Sequence, residues 1–125
     1  MKTVISTKAA PGAIGPYSQA IESSGLIFVS GQLPIDPATG SFPEVGIQGQ
    51  TRQSLLNASA ILQAAGSGLD KVVKTTVFLK DMDDFNSMNE VYSQFFSDDC
   101  PARSAVQVAR LPKDALVEIE MIAFK

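Results

Sequence analysis

Six short segments of the chain have the residue pattern of β-strands. In segments 101–109 and 116–124, polar and apolar positions alternate with period two, as expected for a strand with one buried face. The segment 26–31 is rich in residues that favour strands, and three further segments are similar. The predicted strands cover residues 2–6, 18–22, 26–31, 70–80, 101–109 and 116–124.

Two other segments have helical spacing. A stripe of apolar and small residues begins at Ile47 and ends at Ala65, and Gly66 follows, where a left-handed residue commonly ends a helix. A second stripe lies within residues 83–96, and aspartates at its start can cap it. The element order β-β-β-α-β-α-β-β predicts an α+β fold in which two helices cover one face of a sheet.

The sheet face that the helices leave open still carries apolar residues. They are mixed with polar and charged side chains: Leu26, Phe28, Ser30, Phe78, Arg103, Leu116, Glu118, Glu120 and Ile122. Apolar patches of this kind commonly meet another subunit. We therefore expect a small symmetric oligomer with charged groups near its interface.

The last two predicted strands hold the clearest candidate chemistry. The turn between them contains a proline and an aspartate, which predicts an antiparallel hairpin. One face of that hairpin would carry Arg103, Glu118 and Glu120. A guanidinium binds a carboxylate through two parallel bonds, and a carboxylate can take a proton from water. The alternative, that these charges lie on the solvated face of a half-buried sheet, is open on spacing alone.

Composition and charge limit the classes of function. The 125 residues are enough for one domain, residues 1–125, with a single core. The net charge of −3 argues against a nucleic-acid surface held by positive charge. No apolar run approaches the length of a membrane span, and the first residues lack the apolar block of a signal peptide.

Cysteine and histidine counts limit the chemistry. Cys100 is the only cysteine, so the chain forms no internal disulfide, and we expect a reducing, cytoplasmic location. The chain contains no histidine, which excludes Ser-His and Cys-His nucleophiles and histidine metal ligands. Catalysis would have to use other polar side chains, backbone groups and water.

Four blocks of the sequence resemble the Rid (YjgF) family, and within it the RidA-type enamine/imine deaminases. They are Ala-Ile-Gly-Pro-Tyr-Ser-Gln at 13–19, Val-Ser-Gly-Gln at 29–32, Val-Lys-Thr-Thr-Val with a following Lys-Asp at 73–81, and the long block 101–120. The last block, from Pro-Ala-Arg-Ser to Val-Glu-Ile-Glu, is the most specific. The resemblance covers essentially the whole chain.

The resemblance implies a fold, an assembly and an activity. The fold would be chorismate-mutase-like (bacillary type), a six-stranded mixed sheet with two helices on one face, assembled as a homotrimer with clefts between neighbouring subunits. The activity would be cofactor-free hydrolysis of 2-imino acids, such as 2-iminopropanoate and 2-iminobutanoate, to 2-keto acids and ammonia. Because the imines derive from 2-aminoacrylate-type enamines, this hydrolysis would protect pyridoxal-phosphate enzymes. No metal, nucleic acid or membrane is implied.

The resemblance also assigns roles to individual positions. Arg103 matches the arginine that binds the substrate carboxylate, and Glu118 matches the glutamate that orients or deprotonates the attacking water. Tyr17, Ser30 and Asn89 match residues that line the cleft. Spacing alone leaves open that Tyr17 is a partly buried anchor and that Asn89 is merely solvated.

At Ala105 the sequence departs from these deaminases, which carry a cysteine there. The role of that position is expected to run through the main chain, so alanine would preserve a hydrogen bond and lose only the reactive thiol. The departure therefore puts in doubt any regulation by oxidation at this position.

Two other functions are candidates. A binding module for keto acids or other small carboxylates would use the same arginine without turnover. Endoribonuclease or translation-inhibitor activity, attributed to some relatives, fits poorly with the acidic balance and the lack of an aromatic and basic patch.

Overall fold

The computed structural model, which describes residues 1–43 and 46–125, contains one six-stranded mixed sheet. Two helices, α1 (Gly46–Ala64) and α2 (Phe85–Phe95), pack on one of its faces. The strands are β1 (Thr3–Ile5), β2 (Ala20–Ser23), β3 (Leu26–Gln32), β4 (Val72–Leu79), β5 (Ala102–Gln107) and β6 (Val117–Phe124). The predicted element order and α+β class are confirmed.

The core lies between the helices and one face of the sheet. Alternate residues of the central strands point into it, and the apolar stripe of each helix closes it from the other side. The core side chains with no measurable exposure include Ile27, Leu55, Ala58, Ile61, Leu62, Val77, Leu79, Met88, Val117 and Ile119. Burying one large aliphatic side chain contributes about 1.5–3 kcal/mol, so this layer holds the strand ends and their side chains in fixed positions.

The strand order is β1-β2-β3-β6-β4-β5, so the predicted hairpin of the last two strands is wrong. β4 lies between them and pairs parallel with β5 and antiparallel with β6. The reason is α2, which connects β4 to β5 as a crossover and thereby makes those two strands parallel neighbours. The connection between β5 and β6 then passes the end of β4, where the amide of Val108 donates to the carbonyl of Leu79 (3.0 Å).

The register also corrects the predicted placement of the charges. Thr75 of β4 pairs with Arg103, whereas Phe78 pairs with Glu118. Because neighbouring residues of β4 alternate between faces, Arg103 lies on the helix side of the sheet and Glu118 on the open side. The expectation that one face carries both charges was wrong because it depended on the hairpin.

The open face has the apolar character that the sequence predicts. Phe28 is 42% exposed and pairs with Ile122, and Phe124 is 46% exposed and pairs with Leu26. These two pairs lie side by side on β3 and β6 and form a continuous apolar strip.

Among the described residues, no helix has the length and hydropathy needed to cross a membrane.

Candidate active site

One cleft on the open side of the sheet surrounds Glu118. This Glu118 cleft has a volume of about 570 Å³. Its walls are the loop before β2, the end of β3, and the turn that precedes β6. The polar residues among those that line it are Tyr17, Gln19, Ser30, Gln32, Lys113, Glu118 and Glu120.

A β-bulge shapes the floor of the Glu118 cleft. The pairing of β3 with β6 shifts register between Val29 and Gln32, so that Ser30 and Gly31 lie outside the regular ladder. A Cβ atom on Gly31 would lie 2.9 Å from Cδ of Glu118 and closer still to its Oε2. Only glycine therefore allows the carboxylate to lie directly against the backbone here.

The environment of Glu118 favours the protonated form of its carboxyl group. Burial raises the pKa of Glu118 above its usual range, and the neighbouring Glu120 carboxylate raises it further. A carboxylate whose pKa is closer to neutrality is a better general base, provided that it is still ionised at the working pH.

The loop that carries Tyr17 is held by a buried glutamine. The side chain of Gln19 is 4% exposed, accepts a hydrogen bond from the amide of Thr7 (2.7 Å) and donates to the carbonyls of Thr7 (3.0 Å) and Pro11 (2.8 Å). The hydroxyl of Ser30 donates to the carbonyl of Ser18 (2.7 Å), which ties the loop to the bulge. Tyr17 itself is half exposed.

A second, separate cleft lies at the other sheet face, where β5 meets α2. This Arg103 cleft has a volume of about 440 Å³. Its lining residues are Asn89, Tyr92, Ser93, Phe96, Cys100, Pro101 and Arg103.

The guanidinium of Arg103 is held on three sides. Its Nη1 donates to Oδ1 of Asn89 (2.7 Å), and its Cζ lies 4.7 Å from the ring centroid of Tyr92 and 5.4 Å from that of Phe85. Neither of the two ion pairs between described residues involves Arg103. The positive charge is thus oriented by neutral partners and available to an anion.

A hydrogen bond to β4 fixes the position of Tyr92. Its hydroxyl shares a hydrogen bond of 2.8 Å with that of Thr75. Burial raises the pKa of Tyr92, while the hydrogen bond to Thr75 and the charge of Arg103 oppose that rise. The phenol is therefore neutral at physiological pH and serves as a rigid support for the guanidinium.

Comparison with known proteins establishes the family. The sequence matches the family described as endoribonuclease L-PSP over residues 7–125. This chain belongs to that family, which is the Rid (YjgF) family.

Relatives of this Rid protein are similar over nearly their full length. A RutC family protein of Pyrococcus horikoshii is 58% identical over 125 residues, which are 100% of this chain and 99% of the relative. The human 2-iminobutanoate/2-iminopropanoate deaminase is 49% identical, over 100% of this chain and 91% of the relative. The crystal structure of Escherichia coli TdcF with bound serine is similar with a TM-score of 0.94 and 49% identity, over 98% of each chain.

The structure divides the site residues predicted for this Rid protein between the two clefts. Tyr17, Ser30 and Glu118 line the Glu118 cleft, whereas Asn89 and Arg103 line the Arg103 cleft. Ala105 lies two residues beyond Arg103 on the same face of β5, where it packs against the core. Within one chain, the sheet separates the predicted acid from the predicted arginine.

Gln19 and Gly31 belong to this site although sequence reasoning did not select them. A glycine inside a strand is a signal for a bulge or a close approach, and at Gly31 that signal was available. Nothing in the local sequence distinguishes the buried Gln19 from an exposed glutamine.

In the part of the chain that the structure describes, no group of three His, Cys, Asp or Glu side chains could hold a metal ion.

Proposed function

We propose that this Rid protein hydrolyses 2-imino acids, such as 2-iminopropanoate and 2-iminobutanoate, to 2-keto acids and ammonia without a cofactor. The observation that carries the proposal is the pair of clefts: one presents a preorganised guanidinium, the other a desolvated carboxylate. An imino acid requires a grip on its carboxylate and a base for water. The human relative named 2-iminobutanoate/2-iminopropanoate deaminase supports the same reaction.

In the proposed mechanism, Arg103 binds the substrate carboxylate through two parallel hydrogen bonds. Glu118 takes a proton from a water molecule as the oxygen of that water attacks the imine carbon. Return of that proton to the nitrogen gives a tetrahedral carbinolamine. Glu118 then takes the hydroxyl proton of this intermediate and passes it to the nitrogen, so that the carbon–oxygen double bond forms as the carbon–nitrogen bond breaks, and ammonia and the keto acid leave. Because imines hydrolyse readily unaided, positioning of the water and the imine suffices for acceleration.

We propose further that the site is completed between neighbouring copies in a homotrimer. Arg103 and Glu118 lie on opposite faces of one sheet, so neither the Arg103 cleft nor the Glu118 cleft contains both. Docking the open face of one copy beside β5 of the next would bring the two clefts together and cover the apolar strip. The backbone near Ala105 would then align the imine nitrogen.

A coupled assay tests the activity directly. A serine dehydratase generates 2-aminoacrylate, and the release of pyruvate is followed with and without this protein. We expect the protein to accelerate pyruvate formation in proportion to its concentration. Unchanged pyruvate formation would exclude the deaminase function and leave the binding module as the alternative.

Mixed assemblies test whether the site is shared. Arg103→Ala and Glu118→Gln variants are each inactive by hypothesis, but a cleft built from an intact Arg103 and an intact Glu118 on different copies is complete. Equal mixtures that are unfolded and refolded together should regain about a quarter of the wild-type activity, from the statistics of random pairing. Inactive mixtures would exclude a shared site, provided that native mass spectrometry shows mixed trimers.

The alternative function is a binding module for small keto acids, and one observation favours it. The Arg103 cleft is complete without Glu118, because its guanidinium is oriented entirely by residues of α2. Such a module would bind pyruvate with an affinity that Glu118→Gln leaves unchanged, and it would show no turnover in the coupled assay. A location in the cytoplasm, where dehydratases release enamines, fits both functions.

A further inference from the structure

The turn between Leu111 and Ala115 is strained at the rim of the Glu118 cleft. Lys113 and Asp114 both have a φ of 56°, in the left-handed region that side-chain-bearing residues rarely adopt. Aspartate adopts this region occasionally, because its short side chain can form local hydrogen bonds, but lysine has no such compensation. Two consecutive residues in this conformation persist only where the surrounding structure enforces it.

The surroundings of the turn do enforce it. Leu111 is 6% exposed and Ala115 is fully buried, so both ends of the turn are anchored in the interior. The carboxylate of Asp114 pairs with Nζ of Lys80 at 2.9 Å. The amide of Leu116 donates to Oε1 of the buried Gln50 (2.8 Å). The backbone at Lys113 is therefore set by its neighbours and not by its own preference.

This geometry places Lys113 at the rim of the Glu118 cleft, whose other charged lining residues are negative. Among the described residues that line the Glu118 cleft, Lys113 is the only cation, and Glu118 and Glu120 are the acids. An anionic substrate that enters the cleft meets two carboxylates on this chain. A single ammonium at the rim reduces that repulsion where the substrate approaches.

We infer that Lys113 is a specificity-determining residue that steers carboxylate-bearing substrates into the Glu118 cleft. The inference rests on the proposed function for the identity of the substrate, a small 2-imino acid. Lys113 takes no part in the bond changes: it raises the rate of productive encounter and favours anionic over neutral ligands. The left-handed turn fixes the point from which its side chain extends.

Salt dependence separates this role from a structural one. In Lys113→Asn the charge is lost, while asparagine tolerates the left-handed backbone. We expect kcat/KM for 2-iminopropanoate to fall roughly 3- to 10-fold at about 0.01 M ionic strength and to approach wild type near about 1 M, because salt screens the lost charge. The value of kcat should not change, and the thermal midpoint should not fall, because asparagine adopts the left-handed backbone at less cost than lysine. Lys113→Arg should retain wild-type kcat/KM.

Lys8→Gln is the matched control. Lys8 is exposed and lines the neighbouring outer groove, a cavity of about 900 Å³, but not the Glu118 cleft. Its charge still reaches the cleft at low salt, so its neutralisation should lower kcat/KM there, but clearly less than Lys113→Asn does. An equal effect of Lys8→Gln and Lys113→Asn would overturn the inference in favour of a general effect of net charge.

Calorimetric binding of pyruvate keeps this test separate from that of the proposed function. If the wild-type protein has no imine hydrolysis, the proposed function fails, and the inference is then decided by pyruvate binding alone. Lys113→Asn should weaken pyruvate binding at low salt and leave binding of the neutral pyruvamide unchanged. Unchanged pyruvate binding at low salt, or an equal loss for pyruvamide, would overturn the role of Lys113.

Discussion

The Glu118 cleft and the Arg103 cleft hold their charged residues in opposite ways. Arg103 has a hydrogen-bond partner and two aromatic rings against its guanidinium, and none of these partners carries an opposing charge. Glu118 is held against the backbone of Gly31 with another carboxylate nearby, and its ionised form is destabilised. One cleft therefore stabilises its charge, and the other makes its charge reactive.

The difference follows from the elements that build each cleft. The Arg103 cleft is formed mainly by a helix and a strand of regular geometry, and such elements orient side chains rigidly. The Glu118 cleft is formed by a loop, a bulge and a strained turn, where the backbone leaves regular geometry. In the proposed mechanism, the rigidly held guanidinium would bind the ligand and the destabilised carboxylate would act as the base.

Removal of the grip should have the largest effect. Arg103→Ala eliminates two charge-assisted hydrogen bonds to the substrate carboxylate, each of which contributes about 1.5–3 kcal/mol. We expect kcat/KM in the coupled assay to fall roughly 100- to 10,000-fold, at about 1.4 kcal/mol per factor of ten. Arg110→Ala is the control, since Arg110 is exposed and lines neither cleft. Full activity of Arg103→Ala would refute the grip.

Removal of the base should affect turnover more than binding. Glu118→Gln preserves the shape of the side chain but cannot accept a proton from water, so we expect kcat to fall about 100-fold. Calorimetry should show pyruvate binding within about twofold of wild type. Collapse of pyruvate binding with persistent turnover of bound substrate would transfer the role of Glu118 from the water to the ligand.

Glu118→Gln should also show how much the ionised Glu118 carboxylate destabilises the folded protein. Because the pKa of Glu118 is raised on folding, the folded protein binds its proton more tightly than the unfolded chain does. The contribution of Glu118 to stability is therefore present below the unfolded pKa and is lost as pH rises through the folded pKa. We expect Glu118→Gln to increase the free energy of unfolding at pH 7, and this gain to vanish near pH 4. Urea titrations at the two pH values measure it.

Displacement of the base should have an intermediate effect. In Gly31→Ala the new Cβ would lie 2.9 Å from Cδ of Glu118, so the carboxylate must move away from the backbone. We expect kcat to fall roughly tenfold, since misplacement of a catalytic group by about 1 Å is costly. Gly12→Ala is the matched control, because a Cβ at Gly12, in the same cleft, meets nothing within 4 Å. An equal decrease of kcat in Gly31→Ala and Gly12→Ala would show that the contact between Gly31 and Glu118 does not determine the position of the carboxylate.

The sequence predicts the elements well because each has a local signal. The stripe from Ile47 to Ala65 and the alternation in β6 are periodic over enough residues to define both the element and its buried face. The order of the strands in the sheet carries no such local signal. The order strand, helix, strand in β4-α2-β5 does predict a parallel pair. The prediction of a hairpin was wrong because it gave more weight to the turn residues after β5.

The site was only partly predictable for the same reason. The family resemblance selected Arg103 and Glu118 as candidates, but their placement on opposite faces depends on pairing with β4, which is a long-range property. Gln19 acts through four hydrogen bonds to a loop that precedes it by 8 to 12 residues. Spacing does not reveal a contact of that kind, because a loop has no period.

Removal of the second acid should have the smallest effect and the most specific one. Glu120 raises the pKa of Glu118 through charge repulsion, so Glu120→Gln should lower that pKa. Because Glu118 must be ionised to accept a proton, the acid limb of the pH profile of kcat/KM should move to lower pH, while activity at pH 8 changes little. Asp70→Asn, an exposed acid on the turn before β4 and outside both clefts, should leave the profile unmoved. If Glu120→Gln does not move the acid limb, that limb reports the titration of a group other than Glu118. Burial would then be the only remaining reason to regard the Glu118 carboxylate as destabilised, in contrast to the stabilised Arg103.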